Sequence, residues 1–140
     1  MESIRFTQEI FTYDIDFAGH VSNISYIRWM EAGRIKLLEA AGMPVPALMN
    51  AGILPALAET RIAYKKPLFL GDCLSLEVWI AKLRHASADM AFHFYKGDRE
   101  LAAIGLQKGL FIDREHQKPV RISDEQHQRF SRFTAAFTFS

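Results

Sequence analysis

The sequence predicts an α+β domain: a five-stranded antiparallel sheet wrapped around one long central helix, with a short C-terminal helix. Three observations carry this. Residues 22–41 repeat apolar side chains with helical spacing, and the apolar arc covers most of the helix circumference. Residues 73–84, 87–96 and 100–113 alternate with the period of two that marks a half-buried strand. The turns between these stretches are short, so successive strands are expected to be antiparallel neighbours. One sheet and one helix buried on most sides pack best when the sheet curls around the helix.

Composition narrows the function classes. The 140 residues suggest one domain spanning 1–140, and a chain of this length buries roughly 68% of its unfolded surface without disulfides or metals. The 17 basic and 16 acidic residues leave a net charge of +1, with no long basic run, so nucleic acid is not an expected partner. Cys73 is the single cysteine. It excludes an internal disulfide, fits a reducing compartment and reads as a small buried hydrophobe. The opening residues MESIRFTQEI lack a basic region followed by an apolar run, so a cytoplasmic location is expected. The longest uncharged run, Met43 to Ala58, is 16 residues long and holds three prolines, which is too short and too broken to span a bilayer.

In chain order, residues 3–12 mix β-branched and aromatic residues and read as the first strand. Tyr13 to Val21 is a loop turning at Gly19. Ser22 or Asn23 caps the long helix, which runs to about Ala41 and is stopped by Gly42 and Pro44. Ser25, Arg28, Lys36 and Glu39 form its narrow polar face, and Tyr26, Ile27, Met30, Leu37, Leu38 and Ala41 lie opposite, with Ile24, Trp29 and Ile35 widening the apolar arc. Arg34 falls in the middle of the apolar side, where a guanidinium needs a partner, and Glu31 stands three residues back. Pro44 to Ala58 reads as an irregular connection with a short helical turn.

Strands are then expected over 59–69, 73–84, 87–96 and 100–113 as a meander, with turns at Leu70-Gly71-Asp72 and Gly97-Asp98. Ser123 to Gln126 is a capping-box pattern opening a helix to about Phe133. Phe69, Trp79, Tyr95 and Phe111 are too many large groups to leave in water, which points to dimerisation through the sheet.

Polar chemistry concentrates between Tyr13 and Arg34. Asp14, Asp16, His20 and Asn23 precede or open the long helix, where backbone N–H groups lack partners and negative charge is favoured. This stretch resembles the hotdog fold, and in particular the 4-hydroxybenzoyl-CoA thioesterase-like acyl-CoA thioesterases. The matching residues are Asp14-Ile-Asp16, Gly19-His20-Val21, Asn23-Ile-Ser-Tyr26 and Glu31-Ala-Gly-Arg34, and Gly-His-Val-x-Asn marks a large subgroup of generic acyl thioesterases. Tyr64-Lys-Lys-Pro67, Gly71-Asp72, Phe111-Ile-Asp113 and Pro119-Val-Arg121 extend the resemblance over nearly the whole chain.

The resemblance implies hydrolysis of an acyl-CoA thioester, with an acyl-ACP thioesterase or a non-catalytic acyl-binding domain as the alternatives. It implies Asp16 as the catalytic acid and the backbone N–H at Asn23 as the receiver of the thioester oxygen. One branch of the family carries a His at the latter position, where this chain has Asn23. Gly19, His20, Val21 and Tyr26 are then expected at the substrate, with Glu59 and Thr60 approaching across a dimer and Arg84 near the CoA phosphates. A homodimer or homotetramer is implied, and no metal or other cofactor.

The residues accommodate that chemistry. A thioester carbonyl is electrophilic and thiolate leaves readily, so an oxyanion donor and a delivered nucleophile suffice. A helix N-terminus supplies the donor. Asp16 can attack the carbonyl or activate water, and both routes stay open. Asp14 is expected to be structural, because alternation points it away from Asp16. His93, His116 and His127 lack metal-ligand spacing, and no Gly-x-Ser-x-Gly occurs.

Overall fold

The computed structural model describes residues 2–140. In chain order it contains β1 (Ile4–Gln8), a 3-10 turn (Thr12–Asp14), α1 (Asn23–Ala40), α2 (Val45–Asn50), β2 (Ile53–Tyr64), β3 (Leu74–Leu83), β4 (Ser87–Lys96), β5 (Glu100–Asp113), β6 (Lys118–Val120) and α3 (Asp124–Ser131). All strand pairs are antiparallel, in the order β1-β3-β4-β5-β2, and β6 adds three residues beside the end of β5. The expected sheet around a central helix is present, with this short sixth strand beyond the five anticipated.

The strand order corrects the expected meander. Only β3, β4 and β5 follow one another in space, while β2 lies at the far edge beside β5. Residues 65–73 carry the chain back across to β3. Leu68 in that crossing is fully buried, and its carbonyl accepts the Val21 N–H at 2.8 Å. The expected turn at Leu70-Gly71-Asp72 is present, with the Asp72 N–H donating to the Phe69 carbonyl at 3.1 Å and Gly71 at φ +93°, but it lies within a packed crossover and does not join neighbouring strands. Strand β2 also starts at Ile53, six residues before the expected Glu59. Pro55 masked it in the sequence, but an edge strand tolerates proline, and the register slips between Leu57 and Glu59.

Ser22 caps α1, its Oγ accepting the Ser25 N–H at 3.4 Å, and Gly42 ends it at φ +79°. The buried stripe runs through Ser25, Tyr26, Trp29, Met30, Gly33, Arg34, Leu37 and Leu38. It is narrower than expected: Ile24, Ile27 and Ile35 are 63%, 41% and 37% exposed, and Ser25 lies inside, not on the polar face. Met30 and Leu37 pack against the inner sheet face of Leu76, Val78, Ile80, Met90, Phe92 and Phe94. Two glycines let helix and sheet approach. A Cβ on Gly33 would lie 2.7 Å from Val78 Cγ2, and one on Gly105 would lie 2.7 Å from Met30 Cε.

The outer face is partly covered by the chain itself. After α3, opened by the Ser123–Gln126 capping box, the chain docks on β3. The Ile80 N–H donates to the Phe133 carbonyl at 2.8 Å and the Ala135 N–H to the Ile80 carbonyl at 3.0 Å. Phe137 then packs on Trp79 and His93, with ring centroids 5.8 and 5.9 Å away. Trp79 is consequently buried without a second subunit, a correction to the dimer argument built on it. Phe111 is likewise internal, facing Phe130, whereas Phe69 remains exposed. Cys73 is exposed too, not a core residue, because it sits in the crossover ahead of β3. Among the described residues no helix is long and apolar enough to cross a membrane.

Candidate active site

The loop before α1 is built on Asp14. Its side chain is buried, with Oδ2 accepting the Phe11 N–H at 2.9 Å and Oδ1 accepting the Ser25 hydroxyl at 2.7 Å. Its carbonyl accepts the Ser22 N–H at 2.8 Å. Asp14 therefore ties the loop to the first turn of the helix. The 3-10 turn ends at Asp14, and Asp16, two residues on, leaves that knot to line a cleft. The Asp16 backbone closes a tight turn with the Gly19 N–H and the His20 carbonyl, each at 3.0 Å, which Gly19 permits by adopting φ +86°. Ile15 and Val21 bridge across the base of the turn.

Asp16 Oδ1 accepts the Ala18 N–H at 2.9 Å. Oδ2 has no partner among the described residues. At the helix start, Ser25 and Tyr26 direct their N–H groups at Ser22. The N–H groups of Asn23 and Ile24 have no partner among the described residues, as the geometry of a helix N-terminus dictates. Carboxylate and helix end share one cleft of about 480 Å³, lined by Asp16, His20, Val21, Asn23, Tyr26, Tyr64, Lys65, Lys66 and Pro67.

Five of the residues expected from sequence thus meet in one place. Gly19 shapes the turn without lining the cleft. Within the single chain, Glu59, Thr60 and Arg84 are not brought there. Thr60 Oγ1 accepts Gln107 Nε2 at 3.3 Å. Arg84 grips Asp89 through two hydrogen bonds of 2.7 Å, and this carboxylate raises the guanidinium further above its usual range.

Tyr64, Lys65, Lys66 and Pro67 were not singled out as site residues, although Tyr64-Lys-Lys-Pro67 stood out as a motif. Their role as a wall depends on the crossover, which carries the end of β2 over the helix N-terminus. The Tyr64 hydroxyl donates to Asn23 Oδ1, so the Asn23 side chain is held from across the cleft. Tyr26 meets Tyr64 edge-on at 5.0 Å. Burial, and then the neighbouring Tyr64, push the Tyr26 phenol up to about 12, so it stays neutral at physiological pH. Burial also raises Tyr64. Lys66 is paired with Glu100 at 3.4 Å and Lys65 donates to the Ser140 carbonyl, placing two cations on the cleft wall.

Residues 11–130 match the family model described as the thioesterase-like superfamily. The chain is 28% identical over 108 residues to YneP of Bacillus subtilis (strain 168), named as a candidate acyl-CoA thioesterase, covering 77% of this chain and 78% of that protein. Its fold is similar to that of the DHNA-CoA thioesterase from Staphylococcus aureus, with a TM-score of 0.87 at 20% identity, covering 94% of this chain and 91% of the other. It is also similar to SAV2348 from Staphylococcus aureus, whose structure was solved in complex with CoA, with a TM-score of 0.87 at 15% identity over 99% and 90% of the two chains.

Proposed function

The chain belongs to the thioesterase-like superfamily, and on that premise we propose that it hydrolyses an acyl-CoA thioester to a carboxylic acid and CoA. The observation that carries this reading is the pairing, in one cleft, of an unpartnered Asp16 carboxylate oxygen with the open helix N-terminus at Asn23. The thioester oxygen accepts the Asn23 N–H, and the helix dipole stabilises the negative charge that develops there. Asp16 either attacks the carbonyl carbon, expelling CoA thiolate and leaving a mixed anhydride for water to open, or removes a proton from the attacking water. Tyr64 orients Asn23, and Lys65 and Lys66 offer the nearest positive charge for the phosphates of CoA.

The proposed active species is a homodimer in the cytoplasm. Strand β2 is a sheet edge twelve residues long with Leu57 to Arg61 exposed, and such an edge invites a second strand. Pairing there would carry the partner's Glu59 and the partner's Thr60 toward a cleft that its own copies do not reach.

The reading is tested with a thioester panel of short, long and aromatic acyl groups and a free-thiol readout. Asp16→Asn should lower kcat by about 10²-fold or more with an unchanged unfolding midpoint. Near-normal turnover by this variant would sink the assignment of Asp16. Absence of thiol release from every thioester would leave the acyl-binding alternative. A higher kcat/KM on acyl-ACP than on the matched acyl-CoA would reassign the carrier.

A further inference from the structure

The cleft holds a hydroxyl donor with no acceptor. Tyr26 lies three residues after Asn23 on α1, so the two share one flank of the helix. Its Cα stands about 4.5 Å further along the axis. A helical side chain leans back toward the N-terminus and covers the preceding turn. The Tyr26 phenol is long enough to span that rise, which brings its oxygen back to the level of the open helix end. The ring has little room to move. It meets Tyr64 at 5.0 Å, Phe94 at 5.2 Å and Trp29 at 5.9 Å, and only 3% of the residue is exposed.

The Tyr26 hydroxyl has no hydrogen-bond partner among the described residues. It is also not one of the unpartnered polar atoms that the fold seals from solvent, which are Arg34 Nη1, Trp79 Nε1 and Gln107 Oε1. Its oxygen is therefore reached from the cleft that Tyr26 lines. Burial raises the Tyr26 phenol, and the nearby Tyr64 phenol raises it further, which puts the two hydroxyls at one end of the cleft. The other donors there are committed. Tyr64 donates to Asn23 Oδ1, Lys65 to the Ser140 carbonyl, and Lys66 pairs with Glu100. His20 stands on the half-exposed turn, where water can satisfy its ring. A nearly buried hydroxyl left unpaired destabilises the free protein, and an acceptor arriving with a ligand would relieve that.

We propose that the Tyr26 hydroxyl donates a second hydrogen bond to the thioester oxygen, so that Tyr26 and the Asn23 N–H together hold the charge that forms there. The proposal rests on the proposed function for the reaction and adds a catalytic residue to it. As the nucleophile bonds to the carbonyl carbon, the C=O π pair moves onto the oxygen, and both donors bond more strongly to it. When the carbon–sulfur bond breaks, its pair leaves with the thiolate and the carbonyl re-forms. Tyr26 keeps its proton throughout, because its phenol is pushed up to about 12. The packed ring fixes the donor before the substrate arrives, so little reorganisation accompanies the reaction.

Tyr26→Phe keeps the ring and its contacts and removes only the oxygen. It should lower kcat about 10- to 100-fold with KM nearly unchanged, since the bond strengthens in the transition state. Its unfolding midpoint should be unchanged or higher, because the hydroxyl has no partner in the free protein. The loss should be similar with acetyl-, hexanoyl- and benzoyl-CoA, which share the thioester group and differ in the acyl chain. Near-normal kcat, a change confined to KM, a loss confined to one acyl group, or a lowered midpoint would overturn the proposal. A second measurement needs no turnover. It uses acetyl-dethia-CoA, in which a methylene replaces the thioester sulfur, 13C-labelled at the carbonyl. The bound carbonyl resonance should move downfield in the native protein and less so in Tyr26→Phe. Equal shifts, or absence of binding, would overturn the proposal. A shift difference without thiol release from any thioester would reject the proposed hydrolysis and support the hydrogen bond. Thiol release with identical kinetics in Tyr26→Phe would reject the role of Tyr26 and leave hydrolysis standing.

Discussion

The Ser25 hydroxyl donates to Asp14 Oδ1 at 2.7 Å, joining the first turn of α1 to the loop that presents Asp16. Both partners are buried, at 2% and 3% exposure, so the bond is made to a carboxylate that water cannot satisfy. Ser25→Ala should therefore destabilise the protein by about 1.5–3 kcal/mol, measured by urea unfolding. It should also lower kcat, because the turn holding Asp16 hangs from this knot. A loss of stability with kcat unchanged would show that the turn holds itself.

Asn23 offers a separation of backbone from side chain. It is the first helical residue, and Ser22 before it has φ −74° and ψ 151°, a conformation that precedes proline without strain. Asn23→Pro should fold with a similar midpoint yet lose about 10²–10³ in kcat, since it deletes the N–H assigned to the oxyanion. Asn23→Ala keeps that N–H and should retain most of the rate. Equal losses in the two variants would move the catalytic role to the side-chain amide.

The C-terminal segment should be measurable as a stabilising element. Phe137 covers Trp79 and His93 on the outer face of the sheet. Phe137→Ala should cost about 1–3 kcal/mol and shift Trp79 fluorescence toward that of a hydrated indole. Thermal unfolding with fluorescence detection reads both effects. An unchanged midpoint would show that the segment rests on the sheet without contributing to it.

His93 gives stability a pH dependence. Burial lowers its pKa from the ordinary 6.5, and the Glu77 carboxylate opposes this only in part. The folded protein therefore holds a neutral imidazole where the unfolded chain takes up a proton. The unfolded state binds more protons below pH 6.5, so stability from this site is full above that value and is lost progressively as pH falls below it through the lowered folded pKa. Midpoints measured at pH 5–7 should fall more steeply for the native protein than for His93→Gln, with Tyr95, whose hydroxyl lies 2.8 Å from the ring, left in place. Parallel slopes would contradict the buried neutral imidazole.

The sequence by itself determined the local elements. Helical spacing marked α1, Ser22 and Gly42 marked its ends, and Ser123 with Gln126 marked α3, because caps and periodicity depend on neighbours within a few residues. The family resemblance named Asp16, His20, Val21, Asn23 and Tyr26, and these five line one cleft because all of them lie on one turn and the helix that follows. Asp14 is the structural carboxylate, as expected, but alternation does not separate it from Asp16, because residues two apart in an extended chain share a face; the 3-10 turn that ends at Asp14 and the buried hydrogen bonds it makes do.

Tertiary structure decided what depends on distant contacts. The crossover that moves β2 to the sheet edge also turns Tyr64, Lys65 and Lys66 into the second wall of the cleft, and no local signal specifies where a strand will pair. The burial of Trp79 follows from a segment more than fifty residues away. Arg34 was visible in the sequence as a charge on an apolar face. Only packing showed that Glu31 satisfies one side of its guanidinium and leaves Nη1 buried and unpartnered, because that requires knowing every atom that the sheet and α3 bring against it.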